Sequence, residues 1–274
     1  MTGHRIKIAH LSDPHFGTTT REKKDALREI LMNLSPDWVV LSGDITQRAH
    51  KTQFEEAKAF CDSLTPLDVM SIPGNHDIPL FDLSSRLFSP YAGFENDFGF
   101  PVSDRRKKGP FEIILCNSTD RFRHIQGELH SRDLARLGSF SGDSTVRIVA
   151  FHQPLDCPKH VDEKNLLRKT DQSVPALKIN KVDLTLSGHI HDPLTRLSDD
   201  RYPGDRNFVV SVAGTCLSSR TRYLAPNSFQ LLDISTEGET ARLVSTRYDL
   251  LQGGFFGPLS EKVLVRPQRD GWTE

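Results

Sequence analysis

Over the first eighty residues, short apolar runs alternate with stretches of helical period, and each run stops at a polar turn. Ile6-Lys7-Ile8-Ala9-His10-Leu11 predicts a strand that ends in Ser12-Asp13-Pro14-His15-Phe16-Gly17. Thr20 to Leu34 puts Ala26, Leu27, Ile30, Leu31 and Leu34 on one stripe, closed by Pro36. Trp38-Val39-Val40-Leu41 predicts a buried strand running into Ser42-Gly43-Asp44, and His50 to Leu64 a second helix through Phe54, Ala57, Phe60, Cys61 and Leu64. Val69 to Ile72 then delivers Pro73-Gly74-Asn75-His76-Asp77, where Pro and Gly meet the demands of a sharp turn. Strands joined through crossover helices imply an α/β class, with a parallel sheet whose ligand site lies beyond the strands' carboxyl ends.

From Pro79 to Pro110 the periodicity is lost, and aromatics from Phe81 to Phe100 suggest either a substrate wall or an excursion tucked onto the core. Further strands are expected over Phe111 to Cys116, Arg147 to Phe151 and Asp183 to Leu186, with a short helix at Ser131 to Leu137 capped by Ser131. The last two strands end in His152-Gln153-Pro154 and Ser187-Gly188-His189-Ile190-His191. Asn207 to Ala213, Ser228 to Ile234 and Ala241 to Tyr248 predict a β-rich second half forming its own sheet. Residues 1–252 are expected to form the main domain, and residues 253–274 a tail of uncertain role.

A chain of 274 residues with 26% charged residues and a net charge of -1 is neither disordered nor built to coat a polyanion. Nucleic acid is therefore not indicated as a partner, although Arg105-Arg106-Lys107-Lys108 is a candidate phosphate contact. No run approaches the roughly 18 apolar residues of a membrane span and Met1 to Lys7 holds no apolar leader, so a cytoplasmic protein without an integral membrane segment is expected. Cys61, Cys116, Cys157 and Cys216 lie in or beside apolar runs without a Cys-x-x-Cys pair, which suits reduced core residues.

The chemistry gathers at five turns. Asp13, His15, Asp44, Asn75, His152, His189 and His191 all follow apolar strands. If the chain stays extended past Leu11, Asp13 and His15 point to one side. Oxygen and imidazole donors without a thiolate suit manganese or iron, with zinc also possible. Seven donors are too many for one tetrahedral ion and suit two ions sharing a carboxylate; paired ions roughly 3.5–4 Å apart serve in-line displacement at phosphorus.

Together, Asp13-x-His15, Gly43-Asp44, Gly74-Asn75-His76-Asp77, His152 and Gly188-His189-x-His191 resemble the signature of the calcineurin-like metallophosphoesterases, in that family's order. The resemblance implies two facing mixed β-sheets with helices on their outer sides, and hydrolysis by a hydroxide bound to two divalent metal ions. It further implies that Asp13, His15 and His191 hold one metal, that Asn75, His152 and His189 hold the other, and that Asp44 bridges them. His76 is then the non-ligand catalytic histidine near the leaving group; the neighbouring acid Asp77 is placed in sequence either to orient its ring or to favour its charged form. Gln47 and Asp77 stand where the Ser/Thr protein phosphatases carry Asp and Glu, so the chain looks more like the bacterial class III cyclic-nucleotide phosphodiesterases. A small phosphodiester or nucleotide is the substrate expected. The motif turns hold no arginine, which points to diesters over monoesters, Arg48 being the nearest exception. Sugar-lipid pyrophosphohydrolases, nucleases and a catalytically silent scaffold of the same fold remain alternatives. The remaining histidines are read as solvated or structurally bonded, with His124 and His160 the nearest to an exception.

Overall fold

Neighbouring residues on the strands alternate between an inner and an outer core, as Ile8 and Ala9, Val40 and Val39, and Ile148 and Val149 do. The computed structural model describes residues 3–143, 145–222, 225–267 and 271–274. Its first half runs β1 (His4–Leu11), α1 (Arg21–Leu34), β2 (Trp38–Leu41), α2 (Lys51–Asp62), β3 (Asp68–Ser71), α3 (Leu83–Phe88), β4 (Asp104–Lys108) and β5 (Phe111–Leu115). Then come α4 (Ser131–Leu137), β6 (Val146–Ala150), α5 (Thr170–Ile179), β7 (Leu184–Ser187), β8 (Leu194–Leu197), β9 (Val209–Val212), β10 (Ser228–Glu237), β11 (Thr240–Leu250) and β12 (Phe256–Arg266).

The strands form two six-stranded mixed sheets, ordered β12-β11-β10-β1-β2-β3 and β4-β5-β6-β7-β9-β8. Ile6, Ile8, Val40 and Met70 of one sheet pack against Ile113, Ile148, Leu184 and Val209 of the other. Leu27 and Leu31 of α1 and Phe54 and Phe60 of α2 cover the first sheet, while Leu137 of α4 and Leu177 of α5 cover the second. The result is the expected sandwich of facing sheets between helices. Polar bridges cross it too: buried His10 on β1 bonds Ser42 Oγ at 3.0 Å and Ser211 Oγ on β9 at 3.2 Å.

The second half does not form a sheet of its own. β9 joins the second sheet parallel to β7, whereas β10 pairs antiparallel with β1 from Arg5↔Ser235 to His10↔Gln230 and carries β11 with it. Within residues 253–274, β12 pairs with β11 along its length and so belongs to the first sheet. Buried Arg266 on β12 donates to Asp183 Oδ1, which also takes Arg206 at 2.7 Å, while Trp272 is 1% exposed. The Pro79–Pro110 excursion contains α3, a π-helical turn at Phe94–Phe98 and β4. Phe94 and Phe98 are buried against Phe54 of α2, so these rings fasten the excursion to the core, while Phe81 and Phe88 stay exposed. Helix α4 starts at Ser131 with His130, not Ser131, in the cap position.

The basic run is edge strand β4, and each of its cations has a carboxylate: Glu112 for Arg105, Asp104 for Arg106, Asp143 for Lys107 and Asp37 for Lys108. Charges on an edge strand discourage pairing with another chain, which accounts for the run without a nucleic acid. Loss of a buried carboxylate that faces buried arginine is costly, whereas a half-exposed pair contributes little. Asp183→Ala is expected to lower unfolding free energy by about 3–5 kcal/mol in urea titration, and Lys108→Ala by less than about 1 kcal/mol. Equal losses would contradict the role given to Asp183 in holding β12.

Candidate metal centre

Parallel strands β1, β2 and β3 of one sheet and β6 and β7 of the other deliver their carboxyl-end turns to a common point. Main-chain bonds lock the turns together: Asp13 N–H to the Gly43 carbonyl at 3.0 Å, His15 N–H to that of Asp44 at 3.1 Å, and Gly188 N–H to that of His152 at 3.0 Å. Two glycines allow the closest approaches. A Cβ on Gly188 would lie 1.8 Å from Ser12 Oγ, and one on Gly74 would lie 2.1 Å from the Asp44 nitrogen.

Past Leu11 the chain is not extended. Asp13 and His15 have φ of 50° and 47°, and Asp44, His189 and His191 also take left-handed backbone at 51°, 71° and 58°. Non-glycine residues reach this region at a cost, and such residues cluster where a site has to be held. Two candidate groups result. Asp13, His15 and His191 form one and Asp44, His152 and His189 the other, with the donor atoms within each group no more than 4.8 Å apart.

In the first group His15 Nε2 lies 3.0 Å from His191 Nε2, which in turn lies 3.1 Å from Asp13 Oδ1. His191 donates its Nδ1–H to the Arg220 carbonyl at 2.9 Å, so its Nε2 faces the group with a lone pair when the ring is neutral. In the second, His152 donates Nδ1–H to the Ser42 carbonyl at 2.8 Å, leaving Nε2 at 3.1 Å from Asn75 Oδ1 and 3.3 Å from both Asp44 Oδ1 and His189 Nδ1. Asp44 faces both ways, since its Oδ2 lies 3.8 Å from His15 Nε2. All seven sequence-predicted donors are therefore brought together.

Burial, reinforced by neighbouring histidines and only partly offset by Asp44 and Asp13, pushes the His15 and His189 rings down, to about 4 and about 3. It opposes a charged His152 too, but Asp44 and Asp13 outweigh it and raise that ring to about 9. Asp44 is held well below the ordinary carboxylate range because His152 and His76 outweigh its own burial. Buried Asp13 Oδ1 has no hydrogen-bond donor among the described residues. Ionised carboxylates, an orphaned oxygen and imidazole nitrogens aimed at one another fit divalent cations, and the absence of sulfur suits first-row metals.

His76 lies outside both groups. Its Nδ1–H donates to the Gln47 carbonyl at 2.9 Å, and its ring meets that of His15 edge-on, 4.9 Å between centroids. Asp77 does not orient it. The Asp77 carboxylate instead accepts from Ile45 N, Thr46 N, Thr46 Oγ1 and Gly74 N at 2.7–3.0 Å, tying the Asp44 turn to the Asn75 turn. A cavity of about 280 Å³ opens above, lined by Asp44, His76 and the ring of His124, which lies 5.7 Å from that of His76. His160 instead pairs with Asp192 at 2.7 Å. Arg48, Arg220 and Arg222 also line the cavity, so the lack of arginine in the motif turns does not extend to the site as a whole. Arg220 and Arg222 carry no sequence signal of their own; contacts such as His191 to the Arg220 carbonyl and Thr215 Oγ1 to the Asp13 carbonyl bring their loop here.

A four-layer sandwich with two acid–imidazole groups at the ends of its parallel strands is the architecture of metal-dependent phosphoester hydrolases. Residues 6–193 match the calcineurin-like phosphoesterase model, and the chain belongs to that family, whose members normally use a dinuclear metal centre. A protein of Rhodococcus erythropolis named "Probable cyclic nucleotide phosphodiesterase" is 26% identical over 202 residues, covering 67% of this chain and 64% of that one. An uncharacterized metallophosphoesterase of Aquifex aeolicus is 27% identical over 194 residues, covering 69% and 64%. The matches thus span 64% of the length of each of these relatives. The fold is shared with a purple acid phosphatase from yellow lupin, at TM-score 0.65, 12% identity and coverage of 98% of this chain and 55% of that one. A dimetal phosphatase from Danio rerio gives TM-score 0.63, 14% identity and coverage of 94% and 98%. No helix among the described residues is long and apolar enough to cross a membrane.

A carboxylate placed between two cations attracts both and reduces their mutual repulsion, whereas an imidazole serves one. Metal analysis is accordingly expected to find Asp44→Ala depleted at both positions and His15→Ala at one. Two metals per chain retained in Asp44→Ala would remove Asp44 from the bridge.

Proposed function

We propose that this chain is a dinuclear-metal phosphodiesterase. The observation that carries the reading is Asp44, with one carboxylate oxygen toward each donor group. Asp13, His15 and His191 would hold one divalent ion and Asn75, His152 and His189 the other, manganese or iron suiting the donors best. Bound there, two such ions supply Lewis acidity, which activates a water nucleophile and offsets the negative charge that grows on the phosphoryl oxygens. The relative's printed name supports a phosphodiester as substrate. A cytoplasmic location and residues 1–252 as the catalytic unit complete the proposal, with β12 lending the sheet its outer strand.

The protein's own part is orientation and proton transfer. Main-chain carbonyls of Ser42 and Arg220 turn the His152 and His191 rings so that Nε2 faces inward. The Gln47 carbonyl fixes His76 by the same device, which leaves His76 Nε2 as the ring's free nitrogen in a residue that lines the cavity. Protonated at Nε2, His76 donates to the departing oxygen, a role that matters in proportion to the leaving group's basicity.

Bis(p-nitrophenyl) phosphate should turn over with added manganese and stop on chelation. Failure with every divalent ion would leave a phosphoesterase fold that serves as a binding scaffold. His76→Asn should keep its metal content and show a modest defect on this ester. On an alkyl or cyclic diester the loss should approach the ~10²–10⁴-fold value of a missing general acid. Equal losses on both substrates would reduce His76 to electrostatic stabilisation, and loss of metal would make it a ligand.

A further inference from the structure

None of the six residues of α3 is buried, although Leu83, Leu87 and Phe88 are among them. A helix of that length gains too little from its own hydrogen bonds to stand alone and draws its stability from packing an apolar face. The exposed face does not end with the helix. Phe81 precedes it, and Arg121 Nη1–H donates to the Leu87 carbonyl at 2.8 Å, joining α3 to the loop that carries Phe122 and Ile125. These six side chains are more than half of the large apolar ones left exposed among the described residues. Their footing is firm. The Tyr91 hydroxyl lies 2.9 Å from Thr119 Oγ1, and Phe94 and Phe98 pack on Phe54.

Charge at this patch is one-sided. Arg86 donates to the Pro79 carbonyl at 3.2 Å and Arg121 to that of Leu87, and neither forms an ion pair with a carboxylate among the described residues. The two acids nearby are held by local donors. Asp82 caps α3 through Ser85 N at 3.0 Å and Ser85 Oγ at 2.6 Å, while Asp120 takes Phe122 N at 2.8 Å and lies 3.5 Å from Arg123. Residues 81–88 and 120–125 thus carry three arginines against two aspartates, in a chain of net charge -1.

Phenyl rings interspersed with guanidinium groups match an anionic lipid interface, where apolar side chains enter the acyl boundary and cations meet phosphate. Phe81, Phe88 and Phe122 stand 84%, 85% and 70% exposed. A folded protein partner would need a recess for each ring, which a fluid lipid surface does not. We propose that α3 and the 121–125 loop dock this protein on anionic lipid headgroups, with the three rings entering the boundary and Arg86 and Arg121 meeting the phosphates. Docking needs neither metal nor turnover, so it stands apart from the phosphodiesterase reading. His124 and Ile125 of the same loop line the cavity above the donor groups. The docked chain therefore holds the mouth of that cavity close to the lipid surface.

Co-sedimentation of the full chain, as purified, with vesicles of phosphatidylcholine, alone or mixed with phosphatidylglycerol, tests this surface. The chain should pellet with the anionic vesicles, leave them as salt is raised, and ignore the neutral ones. Phe81→Ser combined with Phe88→Ser should lower the partition coefficient at least about tenfold, because each ring gives up an apolar phase. The melting temperature should not move, since neither ring is buried in the protein. In Phe88→Trp, emission should shift to the blue on adding anionic vesicles, against a constant background from buried Trp38 and Trp272. No pelleting with either vesicle, equal pelleting with both, or undiminished pelleting of the double serine variant overturns the proposal. So does a dimer that forms without lipid and dissociates in the double variant, which would give the patch to a second copy of this chain.

Discussion

Asp13 and Asp44, both buried, each bring a carboxylate oxygen to 3.8 Å from the same nitrogen, His15 Nε2. Two acids so placed repel one another, and burial deprives them of the water that would screen them. Protons on His152 and His191, whose rings these carboxylates raise, provide part of the balancing charge. Asp13 Oδ1, 3.1 Å from His191 Nε2, accepts no well-formed hydrogen bond from the described residues. The arrangement makes physical sense around cations, which explains why so much of the surrounding chain is given over to holding acceptors face to face.

That holding is done by backbone rather than by side-chain packing. Left-handed conformations at Asp13, His15, Asp44, His189 and His191 turn successive side chains toward one point, and each is unfavourable for a residue with a Cβ. They persist because neighbouring turns share bonds. Asp77 gathers three main-chain nitrogens from the Asp44 and Asn75 turns, and Asp13 Oδ2 takes the His189 nitrogen at 2.8 Å. Gly74 and Gly188 let those turns approach to distances that any side chain would prevent. The glycine before a polar pair, visible in the primary structure, is thus the mark of a steric demand between turns far apart in sequence.

This explains which features were readable beforehand. β1, β2 and β3, their crossover helices and all seven donors follow from local runs and turns, where burial and spacing act within a few residues. The partner of β10 is not local: its pairing with β1 joins Arg5 to Ser235, and no periodicity in either segment encodes that register. Helix α5 is masked in the sequence by Pro175 inside it, and β12 by Gly253, Gly254 and Gly257 before and within its first residues, which look like a loop. The pair Asp13-x-His15 was recognised for a reason that does not apply, since the extended geometry is absent and the left-handed turn brings the two together instead. Residue chemistry was legible; the means of convergence was not.

Three histidines at the site are oriented by one local device. His76, His152 and His191 each commit Nδ1–H to a main-chain carbonyl, of Gln47, Ser42 and Arg220 respectively. A carbonyl can only accept, so this bond sets which ring nitrogen carries hydrogen and frees Nε2 for other work. What Nε2 then does depends on where the supplying loop lies. Ser42 stands beside Asp44 and aims His152 at the donor group, whereas Gln47, three residues further from Asp44, draws the His76 ring clear of it. Arg220 goes further, because its carbonyl sets the His191 ring while its side chain lines the cavity. The cavity wall and the first donor group therefore share one stretch of backbone.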